Sequence, residues 1–507
     1  MTPGSTPAKF PTKLRRNTPR TKTGCLTCRQ RKKKCDEAKP RCSGCSRNEL
    51  ECTWSEKTLV IHPRRDSGNE SDSPQAHAGG TALVHVAANA DPLTAMTWSE
   101  ASGSFMSPHR AALLTSKSSQ MLKHYIFASS TLLSFASPEN NPYVSVVLPL
   151  AYVDDLLMHC VTAIGGALLS CRHPESVDLQ TATHHHYSCV LQGLQASLRD
   201  LQPRHINKVL RILLVLAMLS TFEGVSISCA DGGVFSHLRA SRQLIMWLLD
   251  EQYRPTAEDS EGVFGFVLEI YAYSVLVNEI CPHGLLENRA VVHDEFILSL
   301  ELLSGCRTSG VVFFGYHLLL GMIPEIAQLA GRRVQEGETD PSENDESCYA
   351  ELDSRIRGWQ NPGFPLDNPS AQTTTQHNAM GEVYRHALWI FLETAMNGSS
   401  IPNQGLRDKI GPHLESMASQ LLGYQLPTSR VAPMLLWPII IAGSIVLEDF
   451  GRILLSEGLR NTPYLAWSSI RAAELLELLW ADDDPRAYGP YGLYLVMKKH
   501  NINFCVS

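Results

Sequence analysis

The 507-residue chain has no apolar stretch long enough to make a convincing bilayer span. Its longest apolar run, Ala432 to Leu447, is 16 residues and is broken by Pro433 and Pro438. That run reads as a buried helix, so no membrane partner is expected. The first 24 residues lack the apolar core of a secretory leader, which predicts an intracellular chain with reduced thiols. Short alternating strands are missing, which argues against a β-domain. No solenoid-length repeat is present. Nor is there a G-x-S-x-G, H-E-x-x-H, Walker A or Rossmann glycine pattern, so the common hydrolase, metalloprotease and nucleotide-binding sites find no support and no enzyme is expected. Charged residues are only 19% and aromatics 7%, but hydrophobic residues reach 44%, enough to exclude a wholly disordered chain.

The overall net charge of -7 hides a split. Residues 1–57 carry 15 Lys and Arg against 5 Asp and Glu, leaving 29 against 46 for the rest. A head of net +10 on a body of net -17 predicts a polyanionic partner for the head. Four regions follow from composition. Residues 1–24 are basic, Pro/Thr-rich and free of acids, as expected of a disordered arm. Residues 25–54 hold six of the 14 cysteines. Residues 55–115 are rich in Ser, Gly, Ala, Pro and Asp and read as a flexible linker. No heptad pattern is evident after the cysteines. Residues 116–507 show repeated helical periodicity, predicting a large all-α domain. Helices are expected at 121–135, 153–171, 184–201, 206–222, 234–251, 263–280, 292–304, 311–331, 377–396, 407–424, 435–456, 465–480 and 489–498. Exposed loops are expected at 337–347 and 361–375.

The six clustered cysteines are Cys25, Cys28, Cys35, Cys42, Cys45 and Cys52, spaced C-x2-C-x6-C-x6-C-x2-C-x6-C. A pair two residues apart can grip one metal ion, and the third ligand follows a short helix. Two tetrahedral zinc ions need eight sulfur bonds, so six thiolates suffice only if two of them bridge. The repeat makes Cys25 and Cys42 the natural bridges. Six thiolates on two Zn²⁺ leave a charge of about -2, which nearby Lys and Arg would partly offset. Three disulfides, or a single zinc with spare cysteines, are the alternatives. The other eight cysteines are scattered, as buried core thiols usually are.

Between Cys28 and Cys35 lie Arg29, Gln30, Arg31, Lys32, Lys33 and Lys34, five cations in six residues. Metal ligands at both ends would pin this run on a short helix and aim its side chains. Such a module suits the major groove, where Arg and Lys reach the O6 and N7 acceptors of guanine. Lys22, Arg29, Lys39, Arg41 and Arg47 are expected near phosphates, setting register. Arg15, Arg16, Arg20 and Lys22, with Arg31 to Lys34, could also serve in nuclear import.

The segment GCLTCRQRKKKCDEAKPRCSGCSRNELECTW resembles the fungal Zn₂Cys₆ binuclear-cluster transcription factors. All six cysteines match, as does Pro40 between the half-motifs. Carried over by position, the resemblance implies one zinc on Cys25, Cys28, Cys35 and Cys42, and another on Cys25, Cys42, Cys45 and Cys52. It implies that Arg31 and Lys32 read bases, in double-stranded DNA bearing CGG-like triplets. It further implies a nuclear regulator of transcription by RNA polymerase II. The body is similar, by pattern, to the fungal-specific transcription factor domain, through MLKHY, HHYSCVLQGLQASL, FEGVSIS with VFSHLRAS, and LLWPIIIAGS. Phe235 departs from it, standing where the family often has Trp. Such a body would regulate the head through homodimer formation, transcriptional co-regulators or a small-molecule effector. The competing readings are a zinc-stapled protein-interaction module that ignores DNA, and a ligand receptor whose body carries the main activity.

Within the body, His184, His185 and His186 could suggest a metal site. Consecutive helical residues point about 100° apart, so a surface reading is preferred. Asp154-Asp155 and Asp482 to Asp484 read as helix-end or exposed charges.

Overall fold

A computed structural model describes part of residues 25–52 and then 115–134, 141–199, 201–226, 233–250, 258–286, 289, 315–337, 340–361, 363, 371–429, 431–462 and 466–506. The expected arm 1–24, all but the last residue of the expected linker, and the expected helix 292–304 lie outside the described residues. The chain divides into two compact units, Met1–Thr81 and Ala82–Ser507.

The second unit is helical, with no strand among the described residues. Its helices of eight or more residues are α1 (Ser116–His124), α2 (Asp155–Arg172), α3 (Val177–Leu198), α4 (Ile206–Val225), α5 (Gly233–Leu249), α6 (Glu258–Val277), α7 (Met322–Glu336), α8 (Glu343–Gly358), α9 (Ala371–Asn397), α10 (Gln404–Gly423), α11 (Leu436–Gly443), α12 (Asp449–Arg460), α13 (Trp467–Trp480) and α14 (Gly489–His500). No described helix is long and apolar enough to cross a membrane.

The core forms around α4, in which every residue from Ile212 to Val225 is buried. Its sequence is apolar on all sides, which in a large domain marks a central helix. Helix α2 packs on α3 and α1, and two glycines set that approach. A Cβ at Gly165 would stand 2.1 Å from the Met121 carbonyl oxygen, and one at Gly166 would strike Thr183 and Met121. Side-chain caps fix the helix starts. Asp154 accepts from the amides of Leu156 and Leu157 at 2.9 and 3.2 Å, Ser342 from Asp345 at 3.2 Å, and Asn403 from Leu406 at 2.9 Å.

Five expectations need correction. The last five residues of the loop expected at 361–375 already belong to α9, which begins at Ala371. The helix expected at 311–331 is interrupted at Gly321, between His317–Leu320 and Met322–Glu336. The helix expected at 435–456 is two helices, α11 and α12. The α11 end is held by tertiary hydrogen bonds: Trp480 Nε1 donates to the Gly443 carbonyl at 3.0 Å, and the Gly489 amide to the Ser444 carbonyl at 2.9 Å. The loop expected at 337–347 already starts helix α8 at Glu343, because Ser342 caps an acidic first turn. The helix expected at 121–135 is divided by a π-helical turn at Tyr125–Ser129. Phe235 is buried, with the Arg289 guanidinium 4.7 Å from its ring centre.

Candidate metal centre and nucleic-acid interface

The described core of the first unit consists of sulfur. Cys25, Cys28, Cys42 and Cys45 are buried together, with Cys35 and Cys52 half-buried against them. The internal repeat of the sequence reappears in the hydrogen bonding. The Cys28 amide donates to Cys25 Sγ at 3.4 Å, and 17 residues on the Cys45 amide donates to Cys42 Sγ at 3.3 Å. Likewise the Cys25 amide donates to Cys35 Sγ at 3.4 Å and the Cys42 amide to Cys52 Sγ at 3.3 Å. In the second half, Cys42 caps the short helix Ser43–Ser46. In the first, the chain coils behind Cys28: the Arg31 amide donates to the Thr27 carbonyl at 3.1 Å and the Lys33 amide to the Cys28 carbonyl at 3.0 Å.

The sulfurs form two quartets, Cys25, Cys28, Cys35 and Cys42, and Cys25, Cys42, Cys45 and Cys52. Within each, the sulfurs lie within 4.8 Å of one another. Cys25 Sγ is 3.7 Å from both Cys42 Sγ and Cys45 Sγ, and Cys28 Sγ is 3.6 Å from Cys42 Sγ. A tetrahedral zinc at about 2.3 Å from each sulfur would hold them about 3.8 Å apart, so the spacing and the all-sulfur donor set fit zinc. Burial pushes the thiols of Cys25, Cys28 and Cys45 up to about 12. The Cys45 amide, with the neighbouring thiols, brings Cys42 down to about 6. A metal ion would supply the positive charge that lets buried thiols lose their protons.

Arg31, Lys33, Arg41 and Arg47 are all exposed on this unit. Arg47 Nε donates to the Ser43 carbonyl at 3.3 Å, anchoring its stem while leaving guanidinium donors for another partner. Lys22, Arg29, Lys32, Lys34 and Lys39 lie outside the described residues. Sequence reasoning missed Asp36. Its carboxylate accepts from the Ser43 amide at 3.1 and 3.2 Å, and the Ser43 side chain and amide hold it below its ordinary value. Its place directly after Cys35 was the available signal. Gly44 was also missed: a Cβ there would stand 3.4 Å from Cys28 Sγ.

The chain matches the fungal Zn(2)-Cys(6) binuclear cluster domain over residues 23–59 and the fungal specific transcription factor domain over residues 120–505. The chain belongs to the fungal specific transcription factor domain family. A stretch of 46 residues is 54% identical to transcription factor lfc1 of Flammulina velutipes, covering 9% of this chain and 15% of that protein. Another of 55 residues is 49% identical to zinc cluster transcription factor CZF1 of Candida albicans, covering 11% of this chain and 14% of the relative. Transcription activator AMTR1 of Alternaria alternata is 50% identical over 54 residues, 11% of this chain and 7% of that one. These relatives are named as transcription factors, not enzymes, and the matched stretches cover only small parts of their lengths. No solved structure matches the chain.

In the body, the surface reading of the three histidines holds for His184 and His185 but not for His186, which is buried. It lies on the inner face of α3 with Leu179, Thr183, Val190 and Leu194. Its Nδ1 is 2.7 Å from His159 Nδ1 and its Nε2 is 2.8 Å from Ser118 Oγ. Asp154 is a helix-end charge as expected but is also buried, paired with Arg211 of α4. Of the scattered cysteines, Cys160, Cys171, Cys281 and Cys505 are buried, and Cys189 and Cys348 partly so. Cys229 and Cys306 lie outside the described residues.

Proposed function

We propose that the chain is a nuclear, zinc-dependent, sequence-specific DNA-binding regulator acting at RNA polymerase II promoters. The observation carrying this reading is the pair of sulfur quartets sharing Cys25 and Cys42, set in a small unit with exposed cations. Two zinc ions per chain would be held by the six cysteines, with Cys25 and Cys42 bridging. Zinc supplies the folding energy that so small a core lacks. Arg31 and Lys32 read guanine edges of CGG-like triplets. Arg29, Lys33 and Lys34, with Lys22, Lys39, Arg41 and Arg47, add phosphate contacts and salt-dependent affinity. The arm 1–24 and linker 55–115 flank the head, and the body 116–507 acts on it through self-association or co-regulators.

Selection from random duplexes with the zinc-loaded full chain tests this. Enrichment of CGG-like triplets, lost on chelation, is the expected result. Binding with no sequence enrichment would favour a zinc-stapled protein-interaction module instead.

A further inference from the structure

The helical body holds a cavity of about 540 Å³ that opens to solvent. That is the size of a small-molecule site, which typically ranges over roughly 300–1,000 Å³. Its walls come from α4, α6, α10, α11, α12 and α13 and are mostly Leu, Ile, Met and Val. Protein interiors are otherwise close-packed, and an apolar void this large forgoes many dispersion contacts. The hollow beside Arg289, by contrast, is only about 20 Å³, room for a water.

Helix α12 shows how the space is kept open. Gly451 and Gly458 both line it, seven residues and about two turns apart on one helix face. Gly458 is exposed and lies at the rim, where a Cβ would meet nothing within 4 Å. Leu422 and Leu454 line the cavity and are also 67% and 50% exposed, so they mark its mouth.

The lining chemistry restricts the occupant. Glu448 is the only charged residue among the described lining residues, which include no Lys, Arg or His. Buried hydroxyls of Tyr143, Thr221 and Ser274 contribute polar points. Thr221 Oγ1 donates to the Ala217 carbonyl at 3.0 Å. With that proton committed, the Thr221 oxygen has a lone pair left to accept from a ligand O–H, and the Tyr143 phenol can donate or accept. Burial keeps the Tyr143 phenol in its protonated, neutral form.

We propose that this cavity binds one neutral, largely apolar alcohol, whose hydroxyl is received by Tyr143 and Thr221 and whose carbon skeleton enters past Leu422 and Leu454. An ionised carboxylate of the same length is disfavoured, because it would be desolvated with no cation to meet it and with Glu448 on the wall. This goes beyond the DNA-binding reading, and its test involves no DNA.

The test uses zinc-loaded full-length protein and the neutral fluorophore Nile red. One dye per chain should bind with a blue-shifted emission and be displaced by 1-dodecanol. Dodecanoate at pH about 8, where the carboxylate is ionised, should displace it at least about tenfold less effectively. Ala442→Phe on α11 and Met417→Trp on α10 add bulk at buried lining positions on different walls. Both should abolish dye binding while retaining wild-type helical content and a cooperative melt. The proposal is overturned if wild-type protein binds no stoichiometric dye, if both folded variants bind it normally, or if dodecanoate competes as well as the alcohol.

Discussion

The Sγ atoms of Cys25 and Cys42 lie 3.7 Å apart, and these two sulfurs are common to both quartets. Shared sulfurs should matter more than terminal ones. Cys42→Ala is expected to lose all bound zinc, whereas Cys52→Ala should retain metal on the quartet that lacks it. Native mass spectrometry reads the count directly. Equal losses in the two variants would contradict sulfur sharing.

Base reading and phosphate positioning are separable by salt. Arg31→Ala should relax sequence preference at a cost of about 1–3 kcal/mol on the best site. Arg47→Ala should weaken all duplexes alike and lower the dependence on salt concentration. Gel shifts titrated with salt on matched and scrambled duplexes distinguish them, and indistinguishable variants would refute the assignment.

The Asp154–Arg211 pair couples the start of α2 to the N-terminal half of α4. The side chains are only 3% and 13% exposed, and Asp154 also caps α2. Asp154→Ala strands a buried guanidinium and should cost about 3–5 kcal/mol in urea unfolding of the body. Asp154→Asn, which can still cap, should cost less.

The buried imidazole of His186 should make the body acid-sensitive. Burial, together with His159 and His185, lowers it to about 4, against about 6.5 for a free imidazole. The unfolded chain therefore takes up the proton first, so the stability is complete above about 6.5 and is lost as pH falls toward 4. His386, lowered to about 4 by burial and the adjacent His413 and Arg385, adds to the same trend. His186→Gln should flatten the fall in melting temperature between neutral pH and pH about 5. An unchanged profile would remove His186 as a cause. Comparison with wild type at each pH cancels the zinc-thiolate contribution.

The cysteine centre was readable because its constraints are local. Ligand spacings over 28 residues determine which sulfurs can converge, and the doubled spacing singles out the shared pair. Helix α4 was readable because an apolar run with helical length and no strand punctuation has few other uses. Helix α8 was missed because Asp345, Leu352 and Ile356 are its buried residues and its hydrophobic signal is weak. Yet Ser342, the acidic first turn and Arg355 and Arg357 in the last turn had marked both of its ends.

What the linear order settled by itself was the convergence of the six sulfurs of the head and the all-helical class of the body. Both rest on spacings within a few turns of chain. Tertiary structure alone decided the break between α11 and α12, the inward turn of His186, and the cavity whose lining runs from Leu132 to Val506. The reason is physical: a void, a buried ion pair and a helix end satisfied by a distant Trp480 are made by groups far apart in sequence, and no local periodicity records which of them meet.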